Sequence, residues 1–287
     1  MSNPDATDLN MDHLRTWIGS TETVTDQITD SLIERFKATF HGRLWPTLNT
    51  APLGLHWCLA PPAAPANNIG ADGHPKRGGF LPPVPLPSRM WAGGELTFHA
   101  PLQTGDRVTR ESRVENVTLK QGRSGPLVFV TVEHQCYAGD TLAITERQDL
   151  VYKQANPKLA DLKPFNPEPN SEDTNGFIRV NSVELFRYSA LTFNGHRIHY
   201  DRDYARNEEG YPGLVVHGPF QTTLLMNYAA ELCDGIPAKF SFRGISPLIE
   251  QTPFQIRQQL AGNNNQNGEV WCELETGQTT MQAKYWK

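Results

Sequence analysis

The sequence is poor in cysteine, in positive charge and in long apolar stretches, and each shortage argues against a class of protein. Its four cysteines, Cys58, Cys136, Cys233 and Cys272, lie far apart and form no CxxC pair. That pattern is typical of buried thiols in a reducing compartment and not of a disulfide framework. The formal net charge is −5 and the pI is about 6.0, whereas nucleic acids and anionic membranes select basic faces. We therefore expect neither as a partner.

No apolar run approaches the ~20 residues that a membrane-spanning helix needs. The opening stretch, MSNPDATDLNMDHLRTWIG, lacks a basic segment followed by an apolar core, so we expect no secretory signal. Of the 287 residues, 38% are hydrophobic and 20% are charged, which suffices for one large domain or two ordinary ones. We expect a cytoplasmic, globular protein.

Strand patterns dominate two regions of the chain. From Met90 to Lys153, apolar and polar residues alternate through ELTFHAPL, DRVTRESRVENVTLK, LVFVTVEHQCYA and TLAITERQDLVYK, which predicts an antiparallel meander. Four further segments, AKFSFRGISPL, TPFQIRQQLAG, EVWCELETG and MQAKYW, begin at Ala238. Each run ends in an aromatic–basic pair, VYK or YWK, so the two regions form a weak internal repeat.

Three kinds of signal predict helices. Apolar residues at helical spacing predict helices over residues 12–18 and 25–40. Ser182 is expected to cap a helix that ends at Leu191. Residues 218–232, GPFQTTLLMNYAAEL, predict a long apolar helix, because its opening Gly-Pro suits the first helical positions.

The segments between these elements predict irregular structure. Residues 44–62 are apolar and aromatic, and we expect them to be buried without regular structure. Residues 63–87 are rich in proline and glycine, which favours either a rigid connecting loop or the wall of a pocket. Residues 156–174 indicate a linker. Residues 199–213 indicate a loop with one helical turn, with Asp201 as its cap.

Residues that could perform chemistry concentrate in residues 186–226. After a helix, the loop TFNGHRIH could bring Asn194 and His199 to one small molecule. An imidazole with a pKa of about 6.5 can accept a proton from water, and an amide can orient that water. A hydrogen-bonded structural histidine is the first alternative. A metal site formed by His196, His199 and His217 is the second, although the spacing matches no recognised ligand pattern.

The helix expected to begin at Gly218 provides a second element. The first N–H groups of a helix have no intrahelical partner, and the positive end of the helix dipole lies behind them. Such a helix start can hold the oxygen of a thioester as negative charge develops on it, although Gly-Pro is also an ordinary way to begin a helix. Water addition to an α,β-unsaturated thioester requires both an oxygen-polarising donor and a base directed at water. The two elements together therefore favour a hydratase.

The run TFNGHRIHYDRDYA resembles the hydratase-2 motif of the MaoC-like enoyl-CoA hydratases, in which Ser-Gly-Asp-x-Asn-Pro-aliphatic-His is followed by a small residue six positions on. By this resemblance, Asn194 occupies the position of the family's Asp, His199 that of its catalytic His, and Ala205 that of the small residue. Gly218 matches the glycine whose N–H binds the thioester carbonyl. From about residue 12 onward, including RGGFLPPVPLPSRMWAGG and GRSGPLVFVTVEH, the chain resembles the mesaconyl-C4-CoA and itaconyl-CoA hydratase branch, which is related to the type-2 hydroxyacyl-thioester dehydratases.

The motif departs from the family pattern at its acidic residue. Asn194 replaces the Asp and cannot accept or return a proton, and Phe193 and Arg197 stand where the motif has Gly and Pro. Two interpretations follow. Either His199 alone handles the proton while Asn194 positions the water, which we favour, or another group such as His196 assists.

The resemblance implies an α+β double hotdog, in which two antiparallel sheets each wrap a central helix and are fused as a pseudo-dimer. Residues 1–155 would form a non-catalytic hotdog that shapes the acyl and coenzyme A pocket. Residues 156–174 would be the linker, and residues 175–287 would form the hotdog that carries the motif. Monomer and homodimer both remain open.

The implied substrate is a short branched dicarboxylic enoyl-CoA such as itaconyl-CoA or mesaconyl-CoA, hydrated reversibly to a citramalyl- or malyl-type thioester. Its free carboxylate calls for an arginine in an apolar setting, since such a cation needs a partner; pairing of the arginine with a glutamate of the protein is the alternative. The candidate substrate-binding residues are Arg187, Arg197, His217, Arg243 and Phe193.

Coenzyme A is expected as part of the substrate, with Lys76 and Arg77 as candidate contacts for its phosphates. We expect neither a prosthetic group nor a metal. Two other functions stay open from the sequence. One is dehydration of 3-hydroxyacyl chains on a carrier protein or coenzyme A, and the other is acyl-thioester binding without catalysis.

Overall fold

An antiparallel sheet extends through the computed structural model, which describes residues 9–47, 50–122, 125–154, 176–262 and 265–287. Its strands are β1 (Thr21–Gln27), β2 (Ser88–Phe98), β3 (Arg107–Gly122), β4 (Gly125–Ala138), β5 (Thr141–Lys153), β6 (Lys239–Gly244), β7 (Phe254–Leu260), β8 (Asn267–Leu274) and β9 (Thr279–Trp286). They pair in the order β1-β3-β4-β5-β2-β6-β9-β8-β7. The two predicted four-strand runs, β2–β5 and β6–β9, are thereby confirmed.

The two runs join edge to edge through β2 and β6. Their antiparallel register extends from Gly93 opposite Arg243 to Thr97 opposite Lys239. On its other edge, β2 pairs with β5, and a bulge interrupts that ladder between Trp91 and Gly93. The two predicted sheets are therefore joined into one continuous sheet, in which β2 pairs with β5 on one edge and with β6 on the other.

Five α-helices accompany the sheet in the part of the chain that the structure describes. They are α1 (Met11–Arg15), α2 (Asp30–Phe40), α3 (Ser182–Leu191), α4 (Arg202–Asn207) and α5 (Gly218–Leu232). The predicted bounds of α5 are confirmed. Residues 220–227 of α5 are all buried, as in a central core helix and unlike an amphipathic surface helix.

One hydrophobic core connects the two halves of the chain. Phe40, at the end of α2, stacks on Phe220 of α5 with ring centroids 4.5 Å apart. The same ring meets Tyr188 of α3 edge-on at 5.8 Å. Aromatic pairs of this kind add about 0.5–1.5 kcal/mol to the free energy gained by burial alone. The first-half helix α2 therefore packs directly against α3 and α5, which precede and follow the motif in the sequence.

The predicted bounds of two helices differ from those in the structure. The helix predicted over residues 25–40 begins at Asp30, because Thr29 accepts a hydrogen bond from the Leu32 amide as the cap and residues 21–27 form β1 against β3. The helix predicted over residues 12–18 ends at Arg15.

The cap of α3 lies one residue before the predicted Ser182. Asn181 accepts from the amides of Val183 and Glu184, while the Glu184 carboxylate accepts from the Asn181 amide. This is a capping box, in which two unpaired donors are satisfied reciprocally. The predicted linker, residues 156–174, lies outside the described residues.

Side-chain hydrogen bonds hold the two irregular segments in place. The Asn227 side chain on α5 donates to the Leu53 carbonyl at 3.1 Å and accepts from the Trp45 amide at 3.1 Å, so Leu53 and Trp45 are both tied to α5. Residues 51–56 are buried as predicted, but Leu55–Cys58 form a 3₁₀ helix where irregular structure was expected. Farther along, the Arg77 guanidinium donates to three carbonyls of the proline-rich segment, those of Val84, Leu86 and Pro87. Within the described ranges, none of the helices has the length and apolar character needed to cross a bilayer.

We predict that Gly94→Ala destabilises the junction between the two runs. A Cβ at Gly94 would lie 2.3 Å from the Arg147 carbonyl oxygen and 2.7 Å from Cζ of Phe242, so the strands would have to separate. The expected loss is roughly 2–3 kcal/mol of unfolding free energy, measured by urea denaturation. Gly79→Ala is the control, since a Cβ there has no neighbour within 4 Å. Equal unfolding midpoints for the two variants would contradict the prediction.

Candidate active site

A cavity of about 500 Å³ lies where the start of α5, the loop after α3 and strands β2 and β5 meet. Its lining includes residues from both halves of the chain. The first half contributes Trp57, His74, Arg89, Trp91, Gln148 and Lys153, and the second half contributes Asn194, His196, His199, His217 and Gly218. The predicted catalytic residues Asn194, His199 and Gly218 are therefore brought together.

The ring of His199 is buried and held in one tautomer. Its Nδ1 lies 2.7 Å from the Val215 carbonyl oxygen, which can only accept, so Nδ1 carries the proton and Nε2 keeps its lone pair. Burial lowers the pKa of His199 to about 4, the bond to Val215 opposes that shift, and the charge of His74 adds to it. His199 is therefore a neutral proton acceptor at physiological pH.

Asn194 is positioned by the way in which α3 ends. Phe193 adopts a left-handed conformation with a φ of 48°, and the Asn194 amide then donates to the Ser189 carbonyl at 2.8 Å. The Asn194 side-chain oxygen accepts from the His196 amide at 3.0 Å. This leaves its NH₂ group as the donor that a ligand can meet. Phe193 itself is 61% exposed and lies outside the cavity.

His217 and Gly218 form the buried start of α5. The two rings of His199 and His217 stack with centroids 3.6 Å apart, and Nε2 of His217 lies 2.9 Å from the Ser189 hydroxyl. Gly218 is the first helical residue, so its N–H has no acceptor within the helix. A Cβ at Gly218 would lie 3.0 Å from Cε3 of Trp91. Glycine therefore allows this indole to close over the helix start.

The remaining candidate residues lie elsewhere. Arg187, Arg243 and Lys76 are exposed and are not part of the cavity lining. Arg197 pairs with Asp201 at 2.8 Å. All three oxygen contacts of Arg77 described above are carbonyls of its own segment, which indicates that it holds the proline-rich chain in shape.

The predicted role of Asp201 as a cap is confirmed. Its side chain accepts from the Tyr204 amide at 3.0 Å and so opens α4, while its second oxygen binds Arg197. Ala205, which matches the small residue of the motif, is fully buried. It packs with Ile198 and Val215 in a small separate core, and this contact holds the motif loop against the strand-like segment that orients His199.

Two cations that the sequence reasoning missed line the cavity. Arg89 is half-buried at the start of β2, and its charge lowers the pKa of both His74 and His196. Lys153, at the end of β5, is also half-buried, and burial lowers its pKa although the charge of Glu209 opposes the shift. No local pattern identifies either residue. Alternation shows which residues share a face of a strand, but it does not show which face lines a cavity.

Three residues could jointly hold a metal ion. Asp72, His74 and His196 each offer a ligand atom, and these atoms lie within 4.8 Å of one another. Arg89, however, is close enough to act electrostatically on all three, and its positive charge opposes a bound cation. Of the histidines in the predicted metal alternative, His199 has its Nδ1 on the Val215 oxygen and His217 has its Nε2 on the Ser189 hydroxyl.

A buried carboxylate, Glu146, fixes two first-half side chains of the cavity lining. Glu146 accepts from Nε1 of Trp57 at 2.9 Å and from Nε2 of Gln148 at 2.9 Å, and both donors line the cavity. Burial by itself would raise the pKa of Glu146, but the hydrogen bonds and charges of its neighbours, His56 first, lower it to about 2. The carboxylate therefore fixes the positions of an indole and an amide on the first-half side.

Comparison with known proteins assigns the chain to a family. The model of the family described as hydroxyacyl-thioester dehydratase type 2 matches residues 54–250, a range that includes every cavity residue named above. The chain is 42% identical over 269 residues to a mesaconyl-C(4)-CoA hydratase of Chloroflexus aurantiacus, which is 93% of this chain and 95% of the relative. It belongs to the type-2 hydroxyacyl-thioester dehydratase family. The family expected from the motif is thereby confirmed.

Other members of this family and several solved structures agree. A mitochondrial hydroxyacyl-thioester dehydratase type 2 of Schizosaccharomyces pombe is 28% identical over 286 residues, covering 83% of this chain and 90% of that protein. HtdX of Mycobacterium tuberculosis superposes with a TM-score of 0.66 at 18% identity, covering 93% of this chain and 99% of that one. A second protein of that organism, described as having a double hotdog fold, gives a TM-score of 0.54 at 11% identity, with 99% and 97% coverage. The predicted double hotdog is confirmed.

We predict that the ring of His199 stays neutral from pH 7 down to about pH 5, because its pKa is lowered to about 4 by burial. Long-range ¹H–¹⁵N spectra of protein labelled in histidine would show Nδ1 protonated and Nε2 unprotonated throughout that range. The signals are assigned by their loss in His199→Gln. Protonation of this ring above pH 6 would contradict the prediction.

Proposed function

We propose that this protein is a hydratase that adds water reversibly to the double bond of a short dicarboxylic enoyl-CoA of the mesaconyl-C4 type. The observation that carries the proposal is the convergence, in one cavity of about 500 Å³, of a neutral imidazole with a free Nε2 and the unpaired N–H of a buried helix start. The extensive likeness to a relative named mesaconyl-C(4)-CoA hydratase supports the same reaction.

The geometry suggests a single order of events. The thioester oxygen binds the Gly218 N–H at the positive end of α5. Nε2 of His199 takes a proton from a water molecule as the water oxygen bonds to Cβ, and the electron pair of the double bond moves toward the thioester oxygen. The enolate then takes the same proton back at Cα, which restores neutral His199. Asn194 donates its NH₂ group to the attacking water and orients it.

Arg89 is suited to the free carboxylate of such a substrate. In a mesaconyl-C4 thioester, the carboxylate is attached to Cβ, the carbon that the water attacks, so its partner must lie beside the histidines. Arg89 lines the cavity and interacts electrostatically with His74 and His196. Guanidinium groups match carboxylates in a bidentate pair. Lys153 adds a second positive charge to the same cavity. Coenzyme A enters only as part of the substrate.

We predict that the protein hydrates mesaconyl-C4-CoA faster than crotonyl-CoA, measured by loss of the ultraviolet absorbance of the conjugated thioester. His199→Ala should lower kcat by about 10²–10⁴, the range typical of a lost general base. Faster turnover of crotonyl-CoA would point instead to general acyl chains, and faster dehydration of long 3-hydroxyacyl thioesters would favour the dehydratase alternative. Binding without turnover of any thioester would favour a non-catalytic protein.

We also predict that Arg89→Met lowers activity toward mesaconyl-C4-CoA far more than activity toward crotonyl-CoA. Loss of the bidentate pair should lower kcat/KM for mesaconyl-C4-CoA by roughly 10²-fold or more, whereas crotonyl-CoA, which has no second carboxylate, should change by less than about threefold. Arg187→Met is the matched control, because Arg187 is exposed on α3 and lies outside the cavity lining. An equal loss for both substrates would show that Arg89 supports the fold of the site and does not select the carboxylate.

A further inference from the structure

Two loops, one from each half of the chain, contact each other through their backbones beside the cavity. A Cβ at Gly73 would lie 1.8 Å from the Gly195 carbonyl oxygen, and a Cβ at Gly195 would lie 2.6 Å from the Gly73 oxygen. Gly73 also has a φ of +90°, a conformation that other residues rarely adopt. The Arg197 amide donates to the Asp72 carbonyl at 2.9 Å. The first-half loop is therefore docked directly on the motif loop.

This docking brings an imidazole–carboxylate pair to the motif. Nδ1 of His74 lies 3.1 Å from one Asp72 oxygen, and the other Asp72 oxygen accepts from the His74 amide at 3.0 Å. Burial alone would raise the pKa of Asp72, but the hydrogen bonds and charge of His74 keep it below its usual value. The carboxylate is therefore ionised and accepts a hydrogen bond from Nδ1–H, which leaves the lone pair of His74 on Nε2.

The ring of His74 lies among the motif histidines. It lines the cavity together with His199, its centroid is 4.2 Å from that of His196, and its charge acts on His199. The charge of Arg89, the proposed partner of the carboxylate on Cβ, lowers the pKa of His74. The atom that the water attacks would therefore lie next to His74.

We propose that His74, oriented by Asp72, accepts the second hydrogen of the attacking water and so takes over the contact that the family motif assigns to a carboxylate at position 194. The proposal rests on the hydratase function. The water donates one hydrogen to Nε2 of His199 and the other to Nε2 of His74. The first proton moves to His199 as the oxygen bonds to Cβ and returns to Cα. The second stays on the oxygen and becomes the hydroxyl hydrogen of the product, so that one water is added and no proton is left over.

The test compares four variants with mesaconyl-C4-CoA. His74→Ala should lower kcat by about 10²-fold with little change in KM, because the lost contact is made to the water and not to the thioester. His74→Gln should recover part of that loss, since its amide oxygen can accept a hydrogen bond. Asp72→Asn should lower kcat about 10-fold, because an amide can donate to Nδ1 and move the His74 proton to Nε2. His99→Gln, an exposed histidine of the first half, should match the native chain.

A second measurement does not depend on turnover. Spectra of ¹⁵N-labelled histidine should show Nδ1–H and unprotonated Nε2 for His74 in the native chain, and a shift of this tautomer in Asp72→Asn. Binding of a saturated acyl-CoA should be unchanged in all variants.

The outcomes separate the two proposals. Native kcat in His74→Ala, with His199→Ala inactive, would overturn this inference and leave the hydratase function standing. An Nε2–H tautomer of His74 would overturn it whether or not any thioester is turned over. Loss of activity on dialysis against a chelator, restored by Zn²⁺, would overturn it in favour of a metal site at Asp72, His74 and His196.

Discussion

The pairing of β2 with β5, in which Arg89 lies opposite Tyr152 and Trp91 opposite Leu150, determines where two groups of the cavity lie. Trp91 and Arg89 are two residues apart on β2, on the same side of the strand, and both line the cavity. A slip of one residue in this ladder would turn both side chains to the opposite face. Trp91 would then no longer cover the start of α5 at Gly218, where a Cβ would already touch its ring. The hydrogen-bond register of one strand pair therefore fixes the positions of the indole that covers the start of α5 and of the cation beside the histidines.

Burial determines how the histidines can act. The site keeps His199 and His74 neutral because desolvation penalises their charged forms, with the pKa of each lowered to about 4. Such imidazoles are weak bases in the resting state, so the driving force for proton transfer has to come from elsewhere. In the proposed mechanism the start of α5 provides it, since the positive end of the helix would stabilise the enolate oxygen. Once that negative charge exists, a protonated His199 nearby is no longer an isolated buried cation. Base and oxygen-binding group thus depend on each other.

The sequence predicted what is local and periodic. The eight strands of the two runs, the Gly-Pro start of α5 and the cap at Asp201 each depend on neighbouring residues, and all are confirmed. The arginines show the limit of this reasoning. Their aromatic neighbours in sequence suggested that Arg187 and Arg243 are buried, but both are exposed. Whether a side chain points inward depends on which face of its helix or strand packs against the core, and neighbouring residues alone do not determine that face.

His74 and Arg89 could not have been assigned to the site from local patterns. His74 lies more than 100 residues before His196, and the two meet only because Gly73 and Gly195 let two backbones touch. Such a contact leaves no periodicity in the sequence. Phe193 shows the opposite case. The motif has glycine at this position, and the left-handed φ of 48° explains the preference. Phe193 was expected to bind substrate, but its ring is exposed, and what the motif position requires is the backbone conformation.

The replacement of the motif Asp by Asn194 follows from the proposed substrate. A carboxylate at position 194 would face the free carboxylate of a dicarboxylic thioester in the same cavity, where like charges repel. An amide keeps the shape and the hydrogen bond to the His196 amide without the charge. Asp72 does not create the same conflict, because it is absent from the cavity lining and is bound by His74. In the proposed arrangement, Asp72 is a carboxylate placed behind the imidazole of His74, so that the substrate would meet a neutral ring and the cation of Arg89.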